Sequence, residues 1–244
     1  MARPQALIEK AAFRPGFERA AFAKASAFDK PTADRSALKA VALAAAAAAT
    51  SDWRGGLPVL PGATFTLREL CPEDAPALLA MLATEEVARF ISPPPTTLAG
   101  FERFIDWTLH QRAAGHSICF GIVPDGMSAA IGLFQFRSLE PGFRSCEWGF
   151  AMGSQFWGSG LFAEGARAVL DFAVDVAGVQ RFEARAAVAN GRGNGALRKI
   201  GAVQEGVLRR SFLRHGQYHD QVLWSILAED WRLQRSGQQP AVIH

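Results

Sequence analysis

Cysteine is scarce and poorly placed for chemistry. The chain has three, Cys71, Cys119 and Cys146, far apart and outside any CxxC or Cys/His cluster. Neither a disulfide framework nor a zinc site is encoded, no metal is expected, and a reducing compartment fits. Long apolar runs are missing too. The longest, AVALAAAAAA at 40–49, is far short of the ~20 residues that cross a bilayer, and it lies too deep and holds too little leucine for a secretory signal. No membrane partner is expected, and the protein reads as soluble and cytoplasmic. Surplus charge is confined to the start of the chain. Residues 1–55 carry nine Lys or Arg against five Asp or Glu, whereas the remaining 189 carry 17 against 18. The main body therefore lacks the basic stripe of a nucleic-acid-binding surface. No segment repeats.

What is present divides the 244 residues into an alanine-rich extension and linker at 1–56, a regular domain at 57–232 and a tail at 233–244. Alanine favours short helices in the extension. Pro15, Pro31 and the Gly55-Gly56 pair interrupt them, and the apolar content is too small for a separate core. After the linker GGLPVLPG, TFTLREL (64–70) alternates like a strand, and PEDAPALLAMLATEEVARFI (72–91) reads as a helix with an acidic start. LAGFERFIDWTLHQRAAG (98–115) places Phe101, Phe104, Ile105 and Leu109 on one helical stripe. ICFGIV and AIGLFQFRSL flank PDGMSA as a hairpin, and SCEWGFAM (145–152) is a third antiparallel strand. A loop, GSQFWGSG, leads into a helix from Leu161. RFEARAAVA (181–189) is a strand with Phe182, Ala184, Ala186 and Val188 on one side. GNGALRKIGA is a short helix, and VLRRSFL and QVLWSIL form a hairpin around RHGQYH. The fold class is mixed α/β (α+β), because hairpins dominate before the central helix, unlike a doubly wound parallel sheet.

Two glycines, Gly158 and Gly160, stand where a helix must be nucleated, although glycine is costly to order. They serve either a turn or an anion, since the first N–H groups of a helix lack intrahelical partners and carry the positive end of its dipole. A dinucleotide fingerprint, G-x-G-x-x-A, also fits Gly158, Gly160 and Ala163, with Glu183 23 residues beyond Gly160 near the ribose-binding spacing. Against it, Glu183 lies at the start of its strand, and the loop follows antiparallel strands.

The chain resembles the GNAT superfamily of acetyl-CoA-dependent N-acetyltransferases, and looks nearest its ribosomal-protein-alanine N-acetyltransferase branch. The family's pyrophosphate loop, Q/R-x-x-G-x-G/A, is matched by Gln155, Gly158 and Gly160. Its second signature, N-x-x-S-x-x-x-L-x-K-x-G-F followed by an E-G pair, is matched by Asn190, Leu197, Lys199, Gly201 and Glu205-Gly206. QYHDQVLWSILAEDW is similar to the branch's last strand. The resemblance covers residues 57–232 and implies a GNAT fold, a mostly antiparallel sheet of six to seven strands flanked by helices.

It further implies acetyl-CoA as cosubstrate and a primary amine, a protein N-terminus or a small molecule, as acceptor. Such an amine has a pKa near 8, roughly, and needs help to lose its proton. Glu147, on the strand entering the loop, is the expected base. The N–H groups of Gly158, Ser159, Gly160 and Leu161 are expected to hold the pyrophosphate, with Gln155 beside them. Backbone around Phe150–Met152 would serve the thioester oxygen, and Asn190 the pantetheine arm. Where the family has serine, three residues after Asn190, this chain has Gly193 followed by Asn194, which can hydrogen-bond to the coenzyme. Tyr218 is the remaining proton-donor candidate, although packing explains it as well. Asp220 reads as ordering the last strand, and Cys146 as a small buried hydrophobe. A GNAT-fold acyl-CoA-binding protein without turnover and a dinucleotide-dependent oxidoreductase remain alternatives, and a homodimer is compatible with all of these.

Overall fold

The structure, a computed structural model, describes residues 52–237; both helical segments expected in the extension lie outside them. Eight strands form one sheet, β1 (Leu60–Pro61), β2 (Phe65–Glu69), β3 (Ser117–Pro124), β4 (Gly132–Ser138), β5 (Ser145–Met152), β6 (Arg181–Ala187), β7 (Val203–Arg214) and β8 (Gln217–Leu227). Their spatial order is β1-β2-β3-β4-β5-β6-β8-β7. Neighbours run antiparallel except β5 and β6. The count exceeds the expected six to seven because the GGLPVLPG linker supplies β1, a two-residue edge strand on β2.

Helices α1 (Ala75–Leu82), α2 (Glu85–Ala88) and α3 (Leu98–Ala113) precede β3. Helix α4 (Leu161–Asp175) joins β5 to β6, α5 (Gly191–Lys199) follows β6, and α6 (Ala228–Arg235) follows β8. The single helix expected over 72–91 is instead a 3-10 turn, Pro72–Asp74, then α1 and α2. Thr84 leaves helical geometry at ψ 146°, and Glu85 and Glu86 start a new helix whose positive end they complement. The terminal hairpin is longer than expected. Its strands run through Arg214 and Gln217 and close on His215 (φ 48°) and Gly216 (φ 76°), the left-handed pair of a type I′ turn that suits strand twist. Strand β6 ends at Ala187, and Val188, expected on its apolar side, is exposed. Helix α6 runs past residue 232, with Trp231 donating to Asp171 of α4 at 2.8 Å.

Pleating separates two cores. Even-numbered residues of β3, β4 and β5 (Ile118, Phe120, Phe134, Phe136, Cys146, Trp148) pack with α4, whereas Cys119, Val123, Leu133 and Ala151 face α1 and α3. Strand β3 is covered on both sides and reads accordingly as an apolar run. Under the sheet centre Phe136 stacks on Trp148, with centroids 6.0 Å apart, and meets Phe182 edge-on at 5.9 Å. Trp53 packs on Phe143 at 5.1 Å, so the chain just before the domain is docked on it.

Asp74 fastens the α1 layer to the sheet. Its buried carboxylate accepts from Arg68 through both oxygens at 2.7 and 2.8 Å, from the Cys71 N–H at 2.9 Å and from the Ala130 N–H at 2.8 Å. Burial alone would raise its pKa; the Arg68 hydrogen bonds and the two N–H donors outweigh burial and hold it below the usual carboxylate range. Removing one partner of such a pair leaves the other uncompensated, at about 3 kcal/mol. Asp74→Ala should therefore lower the urea-unfolding free energy by about 3 kcal/mol. A depressed folded-state pKa gives stability that is complete above the unfolded value, near pH 4, and lost as pH falls through the folded one. The gap between wild type and variant should thus be constant at neutral pH and shrink below about pH 4.

Candidate active site

The parallel pairing of β5 with β6 covers only Ser145↔Arg181, Cys146↔Phe182 and Glu147↔Glu183. Beyond Glu147 the strands part, although β5 runs on to Met152 and β6 to Ala187, and a V-shaped gap opens between them. Gly153 donates to the Ile131 carbonyl at 3.0 Å, and the Ser145 carbonyl accepts from Leu139 at 2.9 Å. Odd-numbered residues of β5 thus turn their backbone groups to β4. Ladder alternation directs the N–H groups of Phe150 and Met152 to the gap, where the sequence placed a thioester-binding edge. The Met152 carbonyl is occupied by the Trp157 indole N–H at 2.9 Å.

At the mouth of the gap, Ser154–Phe156 form a 3-10 turn that carries Gln155 on the surface. Gly158 (φ 80°) and Gly160 (φ 91°) then adopt left-handed backbone, and no atom of the other described residues lies within 4 Å of where a Cβ would stand on either. The glycines answer both demands: the turn needs positive φ, and the missing side chains leave open space before the α4 N-terminus. Ser159 donates from its Oγ to the Phe156 carbonyl at 2.7 Å, and the Leu161 N–H reaches that hydroxyl only at 3.4 Å. The first-turn donors of α4 are therefore largely free, as an anion site requires. Glu164 is turned away, accepting from the Ala63 N–H at 2.7 Å.

The opposite lip is the start of α5. Asn190 caps it, its Oδ1 accepting from Gly193 N–H at 2.8 Å. A Cβ on Gly193 would stand 2.4 Å from Asn190 Nδ2, so a serine there would require the Asn190 side chain to shift. Asn194 requires a correction. Its amide donates to the carbonyls of Ala187 and Asn190, both at 2.9 Å, and its Oδ1 accepts from the Trp224 indole at 2.9 Å. Every polar group of this buried side chain is used inside the fold, so it ties α5 to the sheet and has nothing left for a coenzyme. Arg192 lies over the Trp157 ring, 4.5 Å from its centroid, and the two lips touch there.

Glu147 sits at the apex, half-buried on the sheet face opposite α4. Arg137 of β4 bonds its Oε2, and Arg185 of β6 bonds its Oε1 at 3.0 Å. Arg185 also reaches Glu183 at 3.4 Å, and Arg181 links Glu183 at 3.3 Å to Glu205 at 2.5 Å. The Arg181 hydrogen bonds hold the Glu205 carboxyl below its usual range. Sequence reading missed Arg137, Arg185 and this use of Glu183. The signal was the alternation R-F-E-A-R at 181–185, which puts every charge on one strand face. Tyr218 is exposed near the hairpin tip, seven residues along β8 from Ser225, the register partner of Glu183, and makes no hydrogen bond among the described residues. The tip is tied across to α2 by Arg214, which donates to the Ala88 carbonyl at 2.8 Å. Cys146 is buried and burial pushes its thiol pKa up, as a packing residue requires.

The glycine loop, the parted strands and the capped α5 agree with one family. The model of the acetyltransferase (GNAT) domain matches residues 64–203. The chain belongs to the GNAT acetyltransferase family. Among curated relatives it is similar to YoaA, an uncharacterized N-acetyltransferase of Bacillus subtilis (strain 168), 27% identical over 175 residues, or 70% of this chain and 97% of the relative. It is also similar to the [ribosomal protein uS5]-alanine N-acetyltransferase of Escherichia coli (strain K12), 27% identical over 118 residues, 48% of this chain and 61% of the relative. The solved structure of RimL, a ribosomal L7/L12 α-N-protein acetyltransferase in complex with coenzyme A, superposes with TM-score 0.64 at 18% identity, covering 69% of this chain and 97% of that one. At that identity it speaks for the fold alone. GNAT membership makes this chain an acyltransferase and removes the dinucleotide reading. The geometry gives the reason: Glu183 is the third residue of β6, at the apex, and not at the strand end where a ribose would lie. Among the described residues no group of three His, Cys, Asp or Glu could hold a metal, and no helix is long and apolar enough to cross a membrane.

Positive φ at Gly160 gives a measurable consequence. Gly160→Ala should destabilise by about 1–2 kcal/mol, the penalty of left-handed backbone for an L-residue. Gly195→Ala, inside α5 with nothing among the described residues within 4 Å of the new Cβ, should stabilise by about 0.5–1 kcal/mol. Thermal denaturation of the two variants checks the opposite signs.

Proposed function

We propose that the protein transfers an acetyl group from acetyl-CoA to a primary amine, by direct attack with Glu147 as general base. One observation carries this reading: a strand-lined gap with a carboxylate at its apex and a glycine-rich helix N-terminus at its mouth. The residues fit the coenzyme. The open positions at Gly158 and Gly160 and the N–H groups of Ser159, Gly160 and Leu161 would hold its pyrophosphate, Ser159 and Leu161 being engaged only in long 3.4 Å bonds, with Gln155 beside them, and the Nδ2 of Asn190 would face its pantetheine arm. Bound acetyl-CoA supplies the activated acetyl thioester.

The N–H groups of Phe150 and Met152 are the preorganised donors for the oxygen on which charge develops. Glu147 accepts the proton of the attacking amine, directly or through one water. Each carboxylate oxygen has two lone-pair directions, so the bonds to Arg137 and Arg185 leave one on each oxygen for the amine while fixing the carboxylate's orientation. No side chain stands ready as acid at position 193, and Tyr218 at the hairpin tip is the residual candidate for that role. The acceptor is a small-molecule amine or a protein N-terminus; similarity to a ribosomal-protein N-acetyltransferase supports the latter.

Calorimetric titration with acetyl-CoA should show binding that Gly160→Glu abolishes, because that change places a carboxylate and a strained φ in the anion site. Glu147→Gln should retain that binding and lower kcat by about 10²-fold at pH 7. Its rate should climb with pH as free amine becomes available, whereas the wild-type rate climbs less. Following coenzyme A release across pH 6–9 reads both effects.

A further inference from the structure

The sheet face that carries Glu147 also holds an amide nitrogen with nothing to bond among the described residues. Gln135 of β4 lies in register between Cys119 of β3 and Gly149 of β5, on the face of Arg137 and Glu147. Its Nε2 is buried and has no hydrogen-bond partner among the described residues. Buried donors are almost always satisfied, and an orphan is a standing cost that a ligand can remove. Next to it is room: a Cβ on Gly149 would meet nothing within 4 Å among the described residues, so the strand face between Glu147 and Ala151 carries no side chain. The Arg137 Nε is a second buried donor without a partner among the described residues, while that guanidinium's Nη2 is committed to Glu147. Cys119, on the other side, is a buried thiol whose pKa burial raises, and it offers only a weak acceptor.

Two unsatisfied N–H donors of β4 therefore lie across the ladder from this bare stretch of β5 and from the proposed base that begins it. Gln135 is the diagonal neighbour of Glu147 across the β4–β5 ladder, a separation of roughly 7–8 Å or less that a long side chain spans. An amine held at Glu147 with an oxygen on the carbon next to its own would place that oxygen toward Gln135. Resting on the acetyltransfer reading above, we infer that Gln135 is a specificity-determining residue, donating from Nε2 to the carbonyl or carboxylate oxygen adjacent to the acceptor amine. The site thereby selects α-aminoacyl acceptors over alkylamines and polyamines. A polyamine offers methylenes and further ammonium groups to this wall; it leaves the amide unsatisfied and meets the charge of Arg137.

The test uses the full chain with acetyl-CoA and three acceptors: trialanine amide, free alanine and spermidine. Coenzyme A release gives KM and kcat, and calorimetry on the coenzyme A complex gives acceptor binding without turnover. The expected result is a kcat/KM for at least one alanine acceptor tenfold or more above that for spermidine. Preference between peptide and free alanine tells carbonyl from carboxylate, and either supports the inference. Gln135→Met keeps volume and removes the donor; it should raise the KM of the preferred alanine acceptor about tenfold. Its kcat and coenzyme A affinity should stay within twofold and spermidine kinetics unchanged. Gly149→Val fills the bare space from the other strand and should also raise acceptor KM, which keeps the test open if one variant fails to fold. Spermidine preferred over both alanine acceptors, an equal effect of Gln135→Met on all acceptors, or a coenzyme A complex that binds no alanine acceptor would each overturn the inference. Loss of coenzyme A binding by the wild type would instead remove the reading beneath it.

Discussion

The parting of β5 from β6 after three paired residues is the constraint on which the rest depends. A parallel ladder that continued would use the N–H groups of Phe150 and Met152 and close the gap. The sheet stays joined below because both faces are tied there. On the α4 side Phe136, Trp148 and Phe182 stack across three neighbouring strands, and on the other side Arg185 bridges Glu147 and Glu183. Above the apex neither tie exists. Gly149 has no side chain, and Phe150 turns to pack on Phe162 of α4 at 4.3 Å, committing β5 to the helix that follows it rather than to β6.

Magnitudes separate what holds this arrangement from what aims it. Ion pairs at partly exposed positions contribute roughly 0–1 kcal/mol each, so the run from Arg137 through Glu147, Arg185, Glu183 and Arg181 to Glu205 is a modest source of stability. Fully burying one large apolar side chain contributes about 1.5–3 kcal/mol, and the aromatic stack beneath supplies several of these. The charged run is better understood as orientation: it presents carboxylate oxygens in fixed directions at the point where the strands separate. Asp74 is the opposite case. Fully buried and bonded by four donors, it holds the α1 layer over the sheet and takes no part in the gap.

Most elements were legible because their periods were clean. The alternation of β2 and β6 and the stripe on α3 gave strand and helix directly, and the glycine loop with Asn190 located both lips of the gap. What escaped depended on tertiary register. The pairing of Glu147 with arginines on two other strands exists only once β4, β5 and β6 are side by side. Asn194 looked available because its three partners, Ala187, Asn190 and the Trp224 indole thirty residues away, converge only in the fold. The break at Thr84 escaped because apolar residues continue across it and mask the loss of helical geometry.

The glycine at position 193 looked at first like a lost catalytic group, since the family places serine there. The structure gives it a different meaning. Asn190 folds back to cap α5, and its side chain fills the volume that a Cβ at 193 would need. A side chain at that site would require Asn190 to shift, so glycine leaves room for the cap that fixes the helix start beside the gap. The missing hydroxyl costs little chemically. A thiol with a pKa of about 8.5 departs as its anion far more readily than an alcohol would, and neutral solution then protonates it without help from the protein. The difficult proton is the one on the attacking amine, and the structure spends its arginines on the carboxylate that would take it.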